Sequence, residues 1–117
     1  GGGGMAAGKP EDTQNFTKLL AAMRSALGPG KLLTIAAPAG PSIIKQLEIG
    51  KIHPYLDSIN IMTYDFHGAW EKTTGHNSPL FQSPGDPSPA GWSTDGAVKA
   101  YLAGGVPASK IIVGGAF

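Results

Sequence analysis

The sequence predicts an α/β fold, and within that class a part of a (β/α)8 TIM barrel rather than a complete one. Helical and strand-like segments alternate along the 117 residues, so successive strands need crossover helices and should run parallel. The central strand-like segment has one apolar face and one polar, aromatic face, which suits a barrel strand with helices outside and a site inside. Because a whole barrel needs about 250 residues, we expect only a portion of one.

Three helical segments are predicted from the spacing of apolar residues and from residues that start or stop helices. The first covers residues 11–27, and the leucines of its apolar stripe are expected to lie in the core. That stripe consists of Phe16, Leu19, Leu20, Met23 and Leu27. The second covers residues 42–56 in two pieces, with a break near Gly50. The third begins with a cap at Ser93 or Thr94 and ends at a Gly-Gly pair.

Three short segments rich in β-branched and apolar residues are predicted as strands: residues 31–37, 58–64 and 110–114. In the second strand, Ile59 and Ile61 fall on one face because successive side chains alternate. Asn60, Met62 and Tyr64 fall on the other. The first face suits packing against helices, and the second face suits a site.

The end of the second strand carries the strongest local signal for chemistry. Tyr64 and Asp65 place a phenol and a carboxylate at the C-terminal end of a parallel strand, where barrel enzymes build their sites. On position alone, Asp65 is more simply a turn residue, Tyr64 a core tyrosine and Met62 a packing residue. Trp70 fits rim packing and ligand stacking equally well. The non-periodic segment that follows, residues 65–92, has the length of a functional or disordered loop.

Composition and charge exclude several classes of function. The formal net charge of +1 comes from 9 Lys and Arg against 8 Asp and Glu, which gives no electrostatic footprint for nucleic acid or an anionic membrane. The chain has no cysteine, so disulfides, thiol nucleophiles and sulfur-ligated zinc are excluded. No apolar run approaches the roughly 18–20 residues that span a bilayer. We expect neither nucleic acid nor a membrane as a partner.

Neither a metal nor another cofactor is predicted. The chain has three histidines, which are His53, His67 and His76. Only His67 is near Asp65 in the sequence, and no third ligand accompanies them. Gly1–Gly4 belong to no phosphate-binding pattern. Asp57 and Asp86 are interpreted as turn residues.

Four segments resemble family 18 of the glycoside hydrolases, the chitinases, and particularly its bacterial-type members. Met62-Thr63-Tyr64-Asp65 is similar to the family's M-x-Y-D signature. Three other segments resemble its fifth strand, the loop after its sixth strand and the approach to its seventh strand: residues 33–40, 73–80 and 105–114. The resemblance implies that residues 1–117 are a partial catalytic barrel domain, roughly strands five to seven.

This resemblance implies hydrolysis of β-1,4-linked N-acetylglucosamine polymers by a substrate-assisted, retaining mechanism. Tyr64 and Asp65 would be the catalytic residues, with Tyr64 hydrogen-bonding the acetamido group and Asp65 orienting the distorted sugar. Met62 would line the floor of the −1 subsite, and Trp70 would stack on a sugar at the leaving-group side. The implied parent is a secreted, extracellular monomer that binds chitin or chitooligosaccharides and needs no cofactor.

The sequence departs from the family pattern in one important respect. The acid motif D-x-x-D-x-D-x-E is absent, and Gly1–Gly4 resemble the stretch that follows it in relatives. The three glutamates present, Glu11, Glu48 and Glu71, lie at a helix start, in a helix and in a loop. The chain is therefore expected to be an internal fragment that is inactive and poorly folded alone. Three alternatives remain open: a chitin-binding lectin-like barrel without catalysis, an endo-β-N-acetylglucosaminidase, and a barrel piece with no ligand.

Overall fold

The computed structural model describes residues 8–117, so the interpretation of Gly1–Gly4 lies outside the described residues. The helices are α1 (Asp12–Leu27), α2 (Pro41–Ile44), α3 (Ile49–Ile52) and α4 (Thr94–Ala103). The strands are β1 (Thr34–Ala37), β2 (Ser58–Ile61) and β3 (Ile111–Val113). Two short 3₁₀ helices, His53–Tyr55 and Ala108–Lys110, precede β2 and β3.

The three strands form one parallel sheet in the order β1-β2-β3. Ile59 of β2 pairs with Ile35 of β1 and with Ile111 of β3, so these three side chains share a face of the sheet. Helices α2 and α3 connect β1 to β2, and α4 lies on the connection from β2 to β3. The predicted α/β architecture with parallel strands is confirmed.

The two faces of the sheet differ as predicted. Ile59 and Ile61 are completely buried and belong to one apolar cluster with side chains from the helices, among them Leu20, Ile52 and Tyr101. The opposite face carries Asn60, which is only half-buried. Helices therefore cover one side of the sheet and leave open the side that carries Asn60.

The prediction that the leucines in the apolar stripe of α1 are core was wrong for two of them, Leu19 and Leu27. Leu20 is buried, whereas Leu19, Met23 and Leu27 are exposed, Leu19 to 53%. Helix α1 contacts α3 and the 3₁₀ helix His53–Tyr55, and these neighbours cover only the side that carries Leu20.

The predicted helix break near Gly50 was also wrong. Gly50 lies inside α3, and the break falls earlier, between α2 and α3. A Cβ atom on Gly50 would lie 3.3 Å from the carbonyl oxygen of Gly104. Glycine is therefore used here for close approach to the end of α4 rather than to end a helix.

Asp57 does more than the turn predicted for it. Its Oδ2 accepts hydrogen bonds from the backbone N–H of Leu33, at 2.7 Å, and from the Arg24 guanidinium. These two donors hold the pKa of Asp57 below its usual value, with the Leu33 N–H as the larger cause. The carboxylate thus links α1 to the segments that precede β1 and β2.

None of the helices in residues 8–117 is long and apolar enough to cross a membrane.

Candidate active site

At the end of β2, successive side chains point alternately into the core and to the open face of the sheet. The strand itself ends at Ile61, earlier than the predicted Tyr64, because β3 is short and its pairing with β2 ends there. Thr63 is completely buried, and its hydroxyl donates to the carbonyl of Gly114 at 2.6 Å. Met62, which is 38% exposed, therefore faces the open side.

Tyr64 lies against the backbone at the end of β3. It is half-buried, and a Cβ atom on Gly114 would lie 2.9 Å from its ring. The Gly114 N–H also donates to the carbonyl of Ile61 at 2.9 Å. A side chain at position 114 would push the Tyr64 ring and the Ile61 carbonyl away, so glycine at this position allows the Tyr64 ring to pack against the backbone.

Asp65 is exposed and has an uncommon backbone conformation. Its φ of 56° lies in the left-handed region, which Asp and Asn enter more readily than most residues. Its Oδ1 accepts a hydrogen bond from Asn77 Nδ2 at 3.0 Å. Its Oδ2 has no hydrogen-bond partner among the described residues, so this oxygen can accept a donor from a bound molecule.

Asn77 and Ser78 fold back onto the strand end, a contact that sequence reasoning missed. The carbonyl of Asn77 accepts the N–H of Phe66 at 2.9 Å, and the hydroxyl of Ser78 donates to the carbonyl of Thr63. The sequence included both residues only as part of the segment 73–80. The only sequence feature that could have pointed to this contact is the presence of polar side chains in residues 73–80, a segment that also contains Gly and Pro.

Trp70 is 65% exposed and has one ring face against the backbone. A Cβ atom on Gly68 would lie 2.3 Å from the indole, so Gly68 allows the ring to lie close to the backbone. Most of the Trp70 side chain is left accessible. A flat exposed aromatic ring suits stacking on the apolar face of a sugar.

His67 joins two carboxylates instead of pairing with Asp65 as a ligand. Its Nδ1 lies 2.8 Å from Glu71 and its Nε2 lies 3.2 Å from Asp86, and the residue is buried. Glu71, and after it Asp86, raise the pKa of His67 against the opposing effect of burial. The described residues contain no group of three or more His, Cys, Asp or Glu side chains suited to hold a metal ion.

Asp86 is a turn residue, as predicted, but it also has a second role. Its Oδ1 accepts the backbone N–H of Ser88 at 2.8 Å, and its Oδ2 faces His67. The Ser88 N–H and His67 lower the pKa of Asp86. His67, Asp86 and Ser88 line one part of a cavity of about 410 Å³, which lies between residues 67–76 and 83–88.

The model of the Glycosyl hydrolases family 18 matches residues 3–117 of the chain. The chain belongs to this family. The resemblance to family 18 is therefore confirmed, and Met62, Tyr64 and Asp65 lie just after the end of a parallel strand.

Similar proteins within family 18 include fungal and bacterial members. "Chitinase 1" of Aphanocladium album is 43% identical over 110 residues, which cover 86% of this chain. Among solved structures, chitinase ChiA74 from Bacillus thuringiensis is 44% identical and superimposes with a TM-score of 0.87 over 95% of the chain. A family 18 N-acetylglucosaminidase from Paenibacillus barengoltzii is 39% identical, with a TM-score of 0.86 over 95% of the chain.

The chain spans a minor part of each of these relatives. It covers 26% of the Aphanocladium album chitinase, 19% of the solved Bacillus thuringiensis chain and 34% of the solved Paenibacillus barengoltzii chain. The similarity therefore concerns only a segment of each relative.

Proposed function

We propose that the chain is part of a chitinase that hydrolyses β-1,4-linked N-acetylglucosamine polymers. The observation that carries the proposal is the corner at the end of β2, where Tyr64 rests on Gly114 and Asp65 is held by Asn77. This corner lies in a family 18 chain with relatives that are named chitinases. A phenol and a carboxylate at the carboxyl end of a parallel strand occupy the position that barrel enzymes use for chemistry.

In the proposed mechanism the carbonyl oxygen of the substrate's own acetamido group attacks the anomeric carbon while the glycosidic C–O bond breaks, and a general acid outside these residues protonates the leaving oxygen. Water then opens the resulting oxazolinium ion at the anomeric carbon, so the configuration is retained. The Tyr64 hydroxyl donates to the acetamido carbonyl, which holds that oxygen in line with the anomeric carbon. Asp65 orients the distorted sugar through its open Oδ2. Met62 lines the floor of the −1 subsite, and Trp70 stacks on a sugar at the leaving-group side. The exposure of Met62 and Trp70 supports these two roles.

The proposed proton donor is not one of the glutamates of this chain. Glu48 accepts hydrogen bonds from Thr17 and Lys51, and Glu71 is engaged by His67. Glu11 precedes α1, at the N-terminus of that helix. We therefore propose that the 117 residues alone do not hydrolyse chitin.

The rest of the proposal concerns the whole protein. Residues 1–117 would be a partial catalytic barrel domain that contributes roughly strands five to seven. The open polar face of β2, marked by Asn60, supports a barrel interior on that side. The whole protein would be a secreted monomer that takes chitin or chitooligosaccharides as substrate and uses no cofactor.

The test is made on the full-length protein with chitooligosaccharides as substrate. Wild type should release short oligosaccharides, and Asp65→Asn should lower kcat about 100-fold with a smaller change in KM, because Asp65 acts during the chemical step. Asp95→Asn is the control, since Asp95 pairs with the exposed Lys99 on α4, away from the strand end that carries Asp65. Unchanged kcat in a folded Asp65→Asn variant would remove Asp65 from the mechanism.

The same assay separates the alternatives. Binding of chitooligosaccharides without hydrolysis by wild type would support a lectin-like barrel. Cleavage of glycoprotein glycans but not of chitooligosaccharides would support an endo-β-N-acetylglucosaminidase. Release of single N-acetylglucosamine units would support the activity named for the Paenibacillus barengoltzii relative.

A further inference from the structure

The side-chain amide of Asn77 is fixed by two acceptors that lie on the chain just after β2. Its Nδ2 donates to Asp65 Oδ1 at 3.0 Å and to the carbonyl of His67 at 3.1 Å. An amide nitrogen carries two hydrogens, so both donors of Asn77 are used. The reverse orientation would place the amide oxygen against two acceptors, and the contacts therefore determine which way the amide points.

Asp65 needs such support because little else restrains its carboxylate. The residue is exposed, and within residues 8–117 no other side chain hydrogen-bonds it. Its left-handed φ of 56° sets the direction in which the side chain leaves the backbone, but the carboxylate can still rotate. The Asn77 donor stops that rotation at Oδ1 and keeps Oδ2 open toward a bound molecule.

Asn77 is itself held by the loop that contains it. A Cβ atom on Gly75 would lie 2.4 Å from the His67 ring, and that ring is clamped between Glu71 and Asp86. On the other side of Asn77, the Ser78 hydroxyl donates to the carbonyl of Thr63. The amide thus projects from a backbone that is fastened before and after it.

We propose that Asn77 is a positioning residue for hydrolysis, which acts by fixing the rotation of the Asp65 carboxylate. This inference rests on the proposed chitinase function and on the role proposed there for Asp65. Groups that orient a reacting group must hold it within a fraction of an ångström to be effective. Loss of Asn77 should therefore reduce turnover while leaving the sugar contacts of Met62 and Trp70 in place.

A double-mutant cycle on the full-length protein tests the inference with chitooligosaccharides as substrate. Asn77→Ala should lower kcat about tenfold, the loss expected for a hydrogen bond to a charged group, while KM changes less than about twofold. In an Asp65→Ala background the same substitution should change kcat by less than about twofold, because residues that act through one group are not additive. An equal loss in both backgrounds would overturn the inference.

Gln82→Ala is the matched control. The Gln82 amide lies in the same loop and also binds backbone atoms, donating to Ser88 and Pro89 and accepting from Gly91, but it has no contact with Asp65. Its kcat should stay within about twofold of wild type. A tenfold loss in Gln82→Ala would assign the effect to general loosening of the loop and overturn the role of Asn77.

Two further measurements keep the result interpretable. If Asn77→Ala does not fold, Asn77→Gln carries the same test, because it keeps the amide and displaces its donors by one methylene; its loss of kcat should also disappear in the Asp65→Ala background. Absence of hydrolysis by wild type would overturn the proposed function itself. Hydrolysis by wild type with equal losses in both backgrounds would overturn only the role of Asn77.

Discussion

The sheet and the segment that follows its central strand are stabilised in different ways. In the sheet, Ile59 and Ile61 are buried under helices, and backbone pairing is regular along all three strands. In residues 65–92 the structure has no helix or strand, and side chains bind main-chain atoms instead. The comparison shows that a site can be held rigidly by polar cross-links without regular secondary structure.

Those cross-links begin in the loop and end at carbonyl groups. The indole of Trp92 donates to the carbonyl of Phe66 at 2.7 Å, and the two rings pack edge to face at 6.0 Å. Asn77 and Ser78 reach the carbonyls of His67 and Thr63. We therefore expect substitutions in the sheet to change global stability and substitutions in the loop to change the site locally.

The largest effect is expected in the sheet. Ile59→Ala in the full-length protein should lower the free energy of unfolding by about 2–5 kcal/mol, because it leaves a cavity in a close-packed core. Denaturant unfolding measures this. Ile43→Ala is the control, since Ile43 is 46% exposed on α2 and should lose far less. Equal losses would contradict the assignment of Ile59 to the centre of the core.

A smaller and more local effect is expected from Trp92→Phe. It removes the donor to the Phe66 carbonyl at a cost of about 1 kcal/mol, and amide hydrogen exchange should become faster within residues 65–92. Tyr101→Phe is the matched comparison, because the buried Tyr101 hydroxyl donates to the carbonyl of Pro38 at 2.8 Å. Its effect should appear in α4 and β1. Identical exchange patterns for the two variants would contradict the separation of the two regions.

The loop should also respond to pH through His67. Glu71 and Asp86 raise its pKa, so the charged pairing contributes fully below the ordinary histidine value of 6.5 and is lost as the pH rises through the raised pKa. Asp86 has a lowered pKa, so its contribution is present above the ordinary aspartate value of 3.8 and is lost only as the pH falls through the lowered value. Both charged partners are therefore fully present between the ordinary aspartate value of 3.8 and the ordinary histidine value of 6.5. In this pH range residues 65–92 should be held together most tightly, which is the closed state of the loop.

Hydrogen exchange in residues 65–92, corrected for the intrinsic effect of pH, tests this window. Exchange should be slower at pH 6 than at pH 9 in wild type, and His67→Gln should remove most of the difference. His53→Gln is the control, because His53 lies in the 3₁₀ helix before β2 and not in the loop. A pH dependence that survives in His67→Gln would assign the closure to other groups.

The smallest effect is expected from changing Gly68, against which the Trp70 ring packs. Gly68→Ala places a methyl group 2.3 Å from the indole, so the ring must move, and affinity for long chitooligosaccharides should fall about three- to tenfold, as for loss of one aromatic contact. Trp70→Ala should weaken long oligosaccharides more than dimers. Gly30→Ala is the control, with no atom within 4 Å of the added carbon. Equal losses for long and short ligands would place Trp70 outside an extended cleft.

Much of the scaffold could be predicted from the sequence because its signals are local. Apolar spacing identified α1, α4 and the three strands. Of the two caps predicted for α4, Ser93 and Thr94, the structure has Ser93, whose hydroxyl accepts the N–H of Gly96. The burial of α1 was overestimated, because spacing shows which residues share a face but not which neighbours cover it. The break at Gly50 was misplaced because its contact, Gly104, is distant in sequence.

The site was predictable in part for the same reason. Tyr64 and Asp65 were predicted to follow a strand at its carboxyl end, and the structure places them just after β2; their catalytic roles stay a proposal. Asn77 was not found, since a hydrogen bond across 12 residues of irregular chain leaves no periodic pattern. His67 was considered for a metal site, but its partners became visible only when the loop brought Glu71 and Asp86 to opposite sides of its ring.

The residue at position 65 must meet two separate requirements: it must adopt a left-handed backbone conformation, and it must carry the carboxylate proposed to act on the sugar. In a library of all substitutions at this position, the yield of folded protein should follow backbone tolerance, with Gly and Asn well accepted and Val, Ile and Thr poorly accepted. Turnover should follow the presence of the carboxylate instead, so even the best-tolerated replacements should turn over far more slowly than wild type. Aspartate combines an acidic side chain with ready entry into this conformation, so under the role proposed for Asp65 few other residues should give both a folded and an active protein.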